Sequence, residues 1–145
     1  MFLGEYEYVV DEKGRVPVPP RYRDMFRGGA VVTRHLDRCI ALYTPADWEQ
    51  VSKQFAALPV TRSATRLTNR NIFSGAFTVD MDRQGRIILP QPLREYAQIR
   101  NGVTIAGAGM NLEVWSRESW AEQRKLMDEQ ASTIAESVDI TPWRT

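Results

Sequence analysis

Two arginines stand out chemically, because each closes the same short run. The runs are Asp11-Glu12-Lys13-Gly14-Arg15 and Asp82-Arg83-Gln84-Gly85-Arg86. An Asp at the first place of a type I turn bonds its own backbone, and a Gly at the fourth accepts positive φ. Asp11, Gly14, Asp82 and Gly85 are therefore read as turn-shaping residues. Arg15 and Arg86 can pair with these aspartates, and a purely structural ion pair already accounts for the pattern. An Arg beside a hairpin tip can equally grip guanine O6/N7 or clamp phosphate. The roles are compatible, since a carboxylate partner orients a guanidinium. Lys13 and Arg83 add charge to the same loops, and a short hairpin or ribbon fits the major groove of DNA.

The remaining candidates are weaker. Arg62, Arg66 and Arg70 recur at four-residue spacing, which places them on one face if the segment is helical. That face can track phosphates, meet solvent or meet another subunit. Arg23 and Arg94 recur in equivalent places, which suits a structural ion pair at least as well as a DNA contact. His35, the single histidine, and Cys39, the single cysteine, are read as packing residues without partners. One cysteine excludes an internal disulfide, and no metal site, cofactor or small-molecule substrate is expected. No nucleophile elbow, P-loop, dinucleotide fingerprint or zinc-protease motif occurs. Asp11 and Asp82 are the only pair offering acid–base chemistry, and each has a sufficient turn role, so no enzyme is expected.

Composition sets the frame. The chain has 145 residues, 43% hydrophobic and 26% charged, with net charge +1. That is enough for a packed core without staples and is ordinary for a globular domain. No apolar run reaches the length of a membrane span. The opening Met1-Phe2-Leu3-Gly4-Glu5 lacks the basic start of a secretory leader, so a cytoplasmic setting is expected. With a near-neutral total, any affinity for nucleic acid must come from local placement of arginines.

An internal duplication positions the two turns. FLGEYEYVVDEKGR (2–15) aligns with FSGAFTVDMDRQGR (73–86) at a constant offset of 71. The register continues through Val18/Leu89, Pro19/Pro90 and Arg23/Arg94. With one added residue it also pairs Tyr43/Trp115 and Trp48/Trp120. Each copy reads as a strand, the Asp-Gly turn, a second strand (RVPVP or RIILP) and a short helix entered through Pro19 or Pro90. A strand pair and a helix capped by Thr44 or Ser116 follow. Trp48 and Trp120 are expected to face inward. The division is 1–58 for the first repeat, 59–72 for a basic linking segment, 73–137 for the second repeat with a long C-terminal helix, and 138–145 for a tail that frays or docks elsewhere.

The doubled pattern, in MFLGEYEYVVDEKGRVPVPPRYRDMF and FSGAFTVDMDRQGRIILPQPLREYA, resembles the MraZ family of the SpoVT/AbrB-like, swapped-hairpin group over about residues 1–137. The resemblance implies a mixed β/α fold. Two AbrB-like swapped-hairpin repeats would form one compact, pseudo-two-fold, β-barrel-like body with flanking helices. It further implies a sequence-specific transcriptional regulator that acts on promoters of the division and cell-wall gene cluster through tandem short G-rich repeats. Such a protein is nucleoid-associated and assembles as a homo-oligomer, a closed ring. Carried over position by position, the contacts to double-stranded DNA fall on Lys13, Arg15, Arg83 and Arg86. Gln84 stands where the first copy has Lys13, so the two loops are not expected to contribute equally. A ring scaffold with purely internal arginine pairs, or a nonspecific nucleoid protein, is the alternative.

Overall fold

The computed structural model describes residues 1–138; the tail expected to fray or dock lies, beyond Val138, outside the described residues. Strand β1 (Glu5–Val9) alternates exposed Glu5, Glu7 and Val9 with half-buried Tyr6 and Tyr8, the period of a strand with one packed face. β2 (Arg15–Pro17) follows the first turn. A 3₁₀ segment, Pro20–Phe26, occupies the first short-helix position. β3 (Ala30–Arg34) and β4 (Ile40–Tyr43) make a hairpin, and α1 (Pro45–Ala56) completes the first copy. α2 (Ser63–Ser74) fills much of the expected linking segment. The second copy supplies β5 (Phe77–Val79), β6 (Arg86–Ile88), α3 (Gln91–Tyr96), β7 (Gly102–Gly107), β8 (Leu112–Ser116) and α4 (Arg117–Ala135).

Local signals explain the helix starts. Thr44 Oγ1 accepts the Asp47 amide and Ser116 Oγ accepts the Ser119 amide, each at 3.1 Å. Pro19 and Pro90 differ from expectation by one place: both are N-caps, with Pro20 and Pro92 inside the first turns. A capping residue has extended backbone, which proline at ψ near 131–142° satisfies. Trp48 and Trp120 are half-buried lids over the sheet. Trp48 packs between Tyr43 and Phe73, and Trp120 packs on Trp115 while its Nε1 donates to Glu5 Oε1 at 2.7 Å.

Six strands form one antiparallel sheet in the order β1-β7-β8-β4-β3-β5, and β2 pairs with β6 in a separate ribbon. β1 and β5 each leave their own copy to pair with a strand of the other, Tyr6 facing Ile105 and Thr78 facing Val31. Exchanging the copies leaves the strand order unchanged. The registers share this property: β4 and β8 cross at Ala41/Glu113, and β2 and β6 cross at Val16/Ile87, both pairs of duplicated positions.

The sheet does not close. β1 and β5 are its edges, so the barrel-like body expected from the resemblance is corrected to an open sheet plus a ribbon. The turns after β1 and β5 carry the chain out of the sheet, so that β2 and β6 find each other instead of bridging its edges. The core lies between ribbon and sheet and draws on both copies: Val16, Val18, Ile40 and Leu42 pack with Ile87, Leu89, Ile105 and Val114. One buried cluster spans both copies, so its burial is the main force joining them.

Candidate nucleic-acid interface

The two turns are built alike, atom for atom. Gly14 N donates to Asp11 O and Gly85 N to Asp82 O, both at 3.0 Å. The glycines have φ of +82° and +77°, a region that side chains disfavour, which is why glycine closes each turn. Asp11 Oδ1 accepts the amides of Lys13 and Arg15 at 3.0 and 2.8 Å, and Asp82 Oδ1 accepts those of Gln84 and Arg86, each at 2.9 Å. The second carboxylate oxygens accept Arg15 Nε at 2.6 Å and Arg86 Nε at 2.9 Å. The main-chain N–H of Arg15, and likewise that of Arg86, is the chief reason that the Asp11 and Asp82 carboxyls are held below their ordinary value, the guanidinium adding to it.

The expected ion pairs are therefore present, and they leave the arginines usable. Each Asp takes the Nε edge, and among the described residues no hydrogen bond uses the Nη groups of Arg15 or Arg86, the end that binds guanine O6 and N7 together. On the ribbon Arg15 lies opposite Ile88 and Arg86 opposite Pro17, while Val16 and Ile87 between them are buried. Strand alternation thus puts both arginines on the face turned from the core. Arg86 Nη1 also comes within 4.0 Å of Asp11 Oδ2, linking the turns. Lys13 and Arg83 are exposed at the tips. The structure brings Arg15 and Arg86 onto one ribbon and sets Lys13 and Arg83 in the flanking loops.

Arg23 and Arg94 form no ion pair among the described residues, which corrects that expectation. Arg23 Nε donates to Val18 O at 3.0 Å and Arg94 Nε to Leu89 O at 2.9 Å. Each guanidinium then lies over the glycine of the opposite copy's turn. A Cβ on Gly14 would meet Arg94 at 3.0 Å, and one on Gly85 would meet Arg23 at 2.3 Å. Val18 N to Gly85 O and Leu89 N to Gly14 O, both 2.8 Å, complete the lock. Arg62, Arg66 and Arg70 are exposed along α2, whose Ile72 carbonyl accepts Thr33 Oγ1 at 2.6 Å. Arg66 Nη1 bonds the Val60 and Thr61 carbonyls, so one of the three serves the helix entry.

His35 and Cys39 do have a neighbour, contrary to expectation. His35 Nε2 stands 3.1 Å from Glu113 Oε2, and the ligand-type atoms of His35, Cys39 and Glu113 lie within 4.8 Å of one another. His35 Nδ1 accepts the Asp37 amide and Glu113 Oε1 accepts Trp115 Nε1, so both groups are already engaged. Burial, with Glu113 beside it, pushes the Cys39 thiol up, which makes it a poor nucleophile or ligand. Nothing at position 113 signals this, because its duplicate is Ala41. Two arginines that sequence reasoning left in the short helices, Arg23 and Arg94, are organisers of the turns; their recurrence in both copies was the available signal.

Residues 1–71 and 72–139 each match the family model for MraZ protein. A protein of Roseiflexus castenholzii is 42% identical over 138 residues, covering 95% of this chain and 96% of the relative. One of Syntrophomonas wolfei is 43% identical and one of Moorella thermoacetica 38% identical, with the same coverage. All three carry the name transcriptional regulator MraZ.

Proposed function

The chain belongs to the MraZ family, and on that premise we propose that it is a DNA-binding transcriptional regulator whose contact surface is the pair of turns bearing Lys13, Arg15, Arg83 and Arg86. The observation that carries this reading is the orientation of Arg15 and Arg86. Both are clamped at Nε by an Asp, and both keep their Nη groups free of hydrogen bonds among the described residues, on the outward face of one ribbon. Preorganised forks of this kind discriminate bases, at about 1–3 kcal/mol per good bidentate contact.

The finer reading has four parts. The targets are tandem short G-rich repeats at promoters of the division and cell-wall gene cluster, since guanine offers the acceptor pair an Arg fork matches. The protein works in the cytoplasm at the nucleoid. Residues 1–58 and 73–137 act as two swapped-hairpin repeats about a pseudo-two-fold, a division supported by the reciprocal registers at Ala41/Glu113 and Val16/Ile87. Several copies assemble into a closed ring, because one protomer makes few phosphate contacts and linked protomers gain roughly 10²–10⁴ in avidity on matched repeats.

The test is titration of the pure protein onto a duplex of tandem G-rich repeats and onto a scrambled duplex at two salt concentrations. Wild type should prefer the repeats and weaken with salt. Arg15→Ala/Arg86→Ala should lose that preference with its melting transition retained. Equal binding to both duplexes by wild type would indicate a nonspecific nucleoid protein. A folded double variant with unchanged preference would remove the proposed contacts.

A further inference from the structure

We propose that the cleft beside the first turn is a seat for a phosphodiester of the DNA backbone, with Arg100 as its principal cation. The inference rests on the DNA-binding reading above. The cleft measures about 520 Å³, and its charged lining comprises Asp11, Glu12, Lys13, Arg15, Arg94 and Arg100. Asp11 is already neutralised by Arg15. That leaves Lys13, Arg94 and Arg100 facing one exposed carboxylate, Glu12.

Arg100 is exposed and makes no hydrogen bond or ion pair among the described residues. The strand registers make Ala30 and Val103 equivalent, since they face the duplicated residues Val79 and Tyr8, and counting back three places from each makes Arg27 the counterpart of Arg100. Arg27 is occupied: its Nη2 and Nε lie 2.7 and 2.9 Å from Asp24 Oδ1. The duplicate of Asp24 is Glu95, which accepts Gln91 Nε2 at 3.0 Å and makes no ion pair with Arg100 among the described residues. The carboxylate that neutralises one arginine is thus engaged elsewhere in the other copy. Arg94 is held in place, since its Nε is fixed on the Leu89 carbonyl and its guanidinium spans Gly14. A fixed cation and an unpaired, exposed one beside the first turn suit a phosphate, which needs charge and donors but no particular base.

The surroundings give the seat a direction. The adjoining cleft, about 760 Å³, shares Arg94 and Arg100 but carries Glu95, Glu118 and Glu122 on its far side. These carboxylates repel a polyanion, so the backbone is confined to the side of Lys13 and Arg15. The seat also restores balance between the loops. The charges of Asp11-Glu12-Lys13-Gly14-Arg15 cancel, whereas Asp82-Arg83-Gln84-Gly85-Arg86 keeps one net positive charge.

The experiment measures affinity of the full chain for the repeat duplex and the scrambled duplex across a salt series. Arg100→Ala should weaken binding to both duplexes by the same factor, about three- to tenfold at low salt. It should also lower the slope of log affinity against log salt by about one for each protomer engaged. Arg100→Lys should restore the slope, and equal melting temperatures exclude a folding defect. Unchanged affinity and slope in Arg100→Ala would overturn the seat while leaving the DNA reading intact. Loss confined to the repeat duplex would overturn it too, by making Arg100 a base reader. Wild type that binds neither duplex would overturn both. Calorimetry with pyrophosphate provides the other arm: tight binding to wild type without DNA, lost in Arg100→Ala, would reassign the cleft to a small free anion and overturn the DNA phosphodiester assignment.

Discussion

The first and second turns share one backbone and differ in their charge. Gly14 and Gly85 have nearly the same φ, and both aspartates accept the same three donors. Lys13 faces its duplicate Gln84, Glu12 faces Arg83, and free Arg100 stands against paired Arg27. Within each run the main-chain geometry depends on Asp and Gly, so it survives while the exposed positions change. Geometry that must be kept and charge that is open to change thus reside in different residues of the same five-residue run.

The largest test of that likeness is at the glycines. Alanine at either position enters the left-handed region at a cost of about 1–2 kcal/mol. At Gly85 the new Cβ also lands 2.3 Å from Arg23, which must release the Val18 carbonyl, whereas at Gly14 the distance to Arg94 is 3.0 Å. Gly85→Ala should therefore cost about 1 kcal/mol more than Gly14→Ala in urea unfolding, the worth of one hydrogen bond. Equal costs would mean that the crossed arginines do not brace the turns.

The next effect concerns DNA. Lys13→Gln should reduce the salt slope by about one per protomer and Gln84→Lys should raise it by the same amount, with repeat preference unchanged in both. If only one of the two moves the slope, the turns do not meet the duplex in the same way. Asp24→Ala releases Arg27 and should steepen the slope by up to about one per protomer, since Arg27 is then unpaired as Arg100 is. A slope unchanged from wild type would place Arg27 away from the backbone.

The smallest effect is at acid pH. The Asp11 and Asp82 carboxyls are lowered in the folded chain, so their ionised forms stabilise it above the ordinary carboxylate range. That stabilisation is lost as pH falls through the lowered folded values. Asp11→Asn and Asp82→Asn should each flatten the acid limb of a melting-temperature profile, to similar extents, with little change in the profile's shape near neutrality. A flattening seen for one variant alone would separate the turns energetically.

The duplication breaks down where the copies meet different neighbours. Phe2 and Phe73 are equivalent in sequence, yet Phe2 is 1% exposed in the core and Phe73 is 39% exposed beside Trp48. Phe2 bridges Gly109 in both directions, whereas Phe73 is still inside α2. No local pattern distinguishes them, because the difference lies in what precedes each residue. The same holds for Glu113, whose duplicate Ala41 sits across from it at the crossing of β4 and β8.

The order of elements, both turns and the helix caps at Thr44 and Ser116 were legible in the sequence. Each depends on interactions within a few residues, such as Asp to amide, Gly at positive φ, or a hydroxyl to an N–H of the first helical turn. Pairings between distant segments were decided by tertiary structure alone. These include the exchange of β1 and β5 between copies, the open sheet with its separate ribbon, and the crossing of Arg23 and Arg94 over the opposite turns. They also include the meeting of Lys13, Arg94 and Arg100 in one cleft. Spacing along a chain constrains neighbours in sequence, whereas these contacts join residues dozens of positions apart, and only burial of a core shared by both copies selects among the ways they can meet.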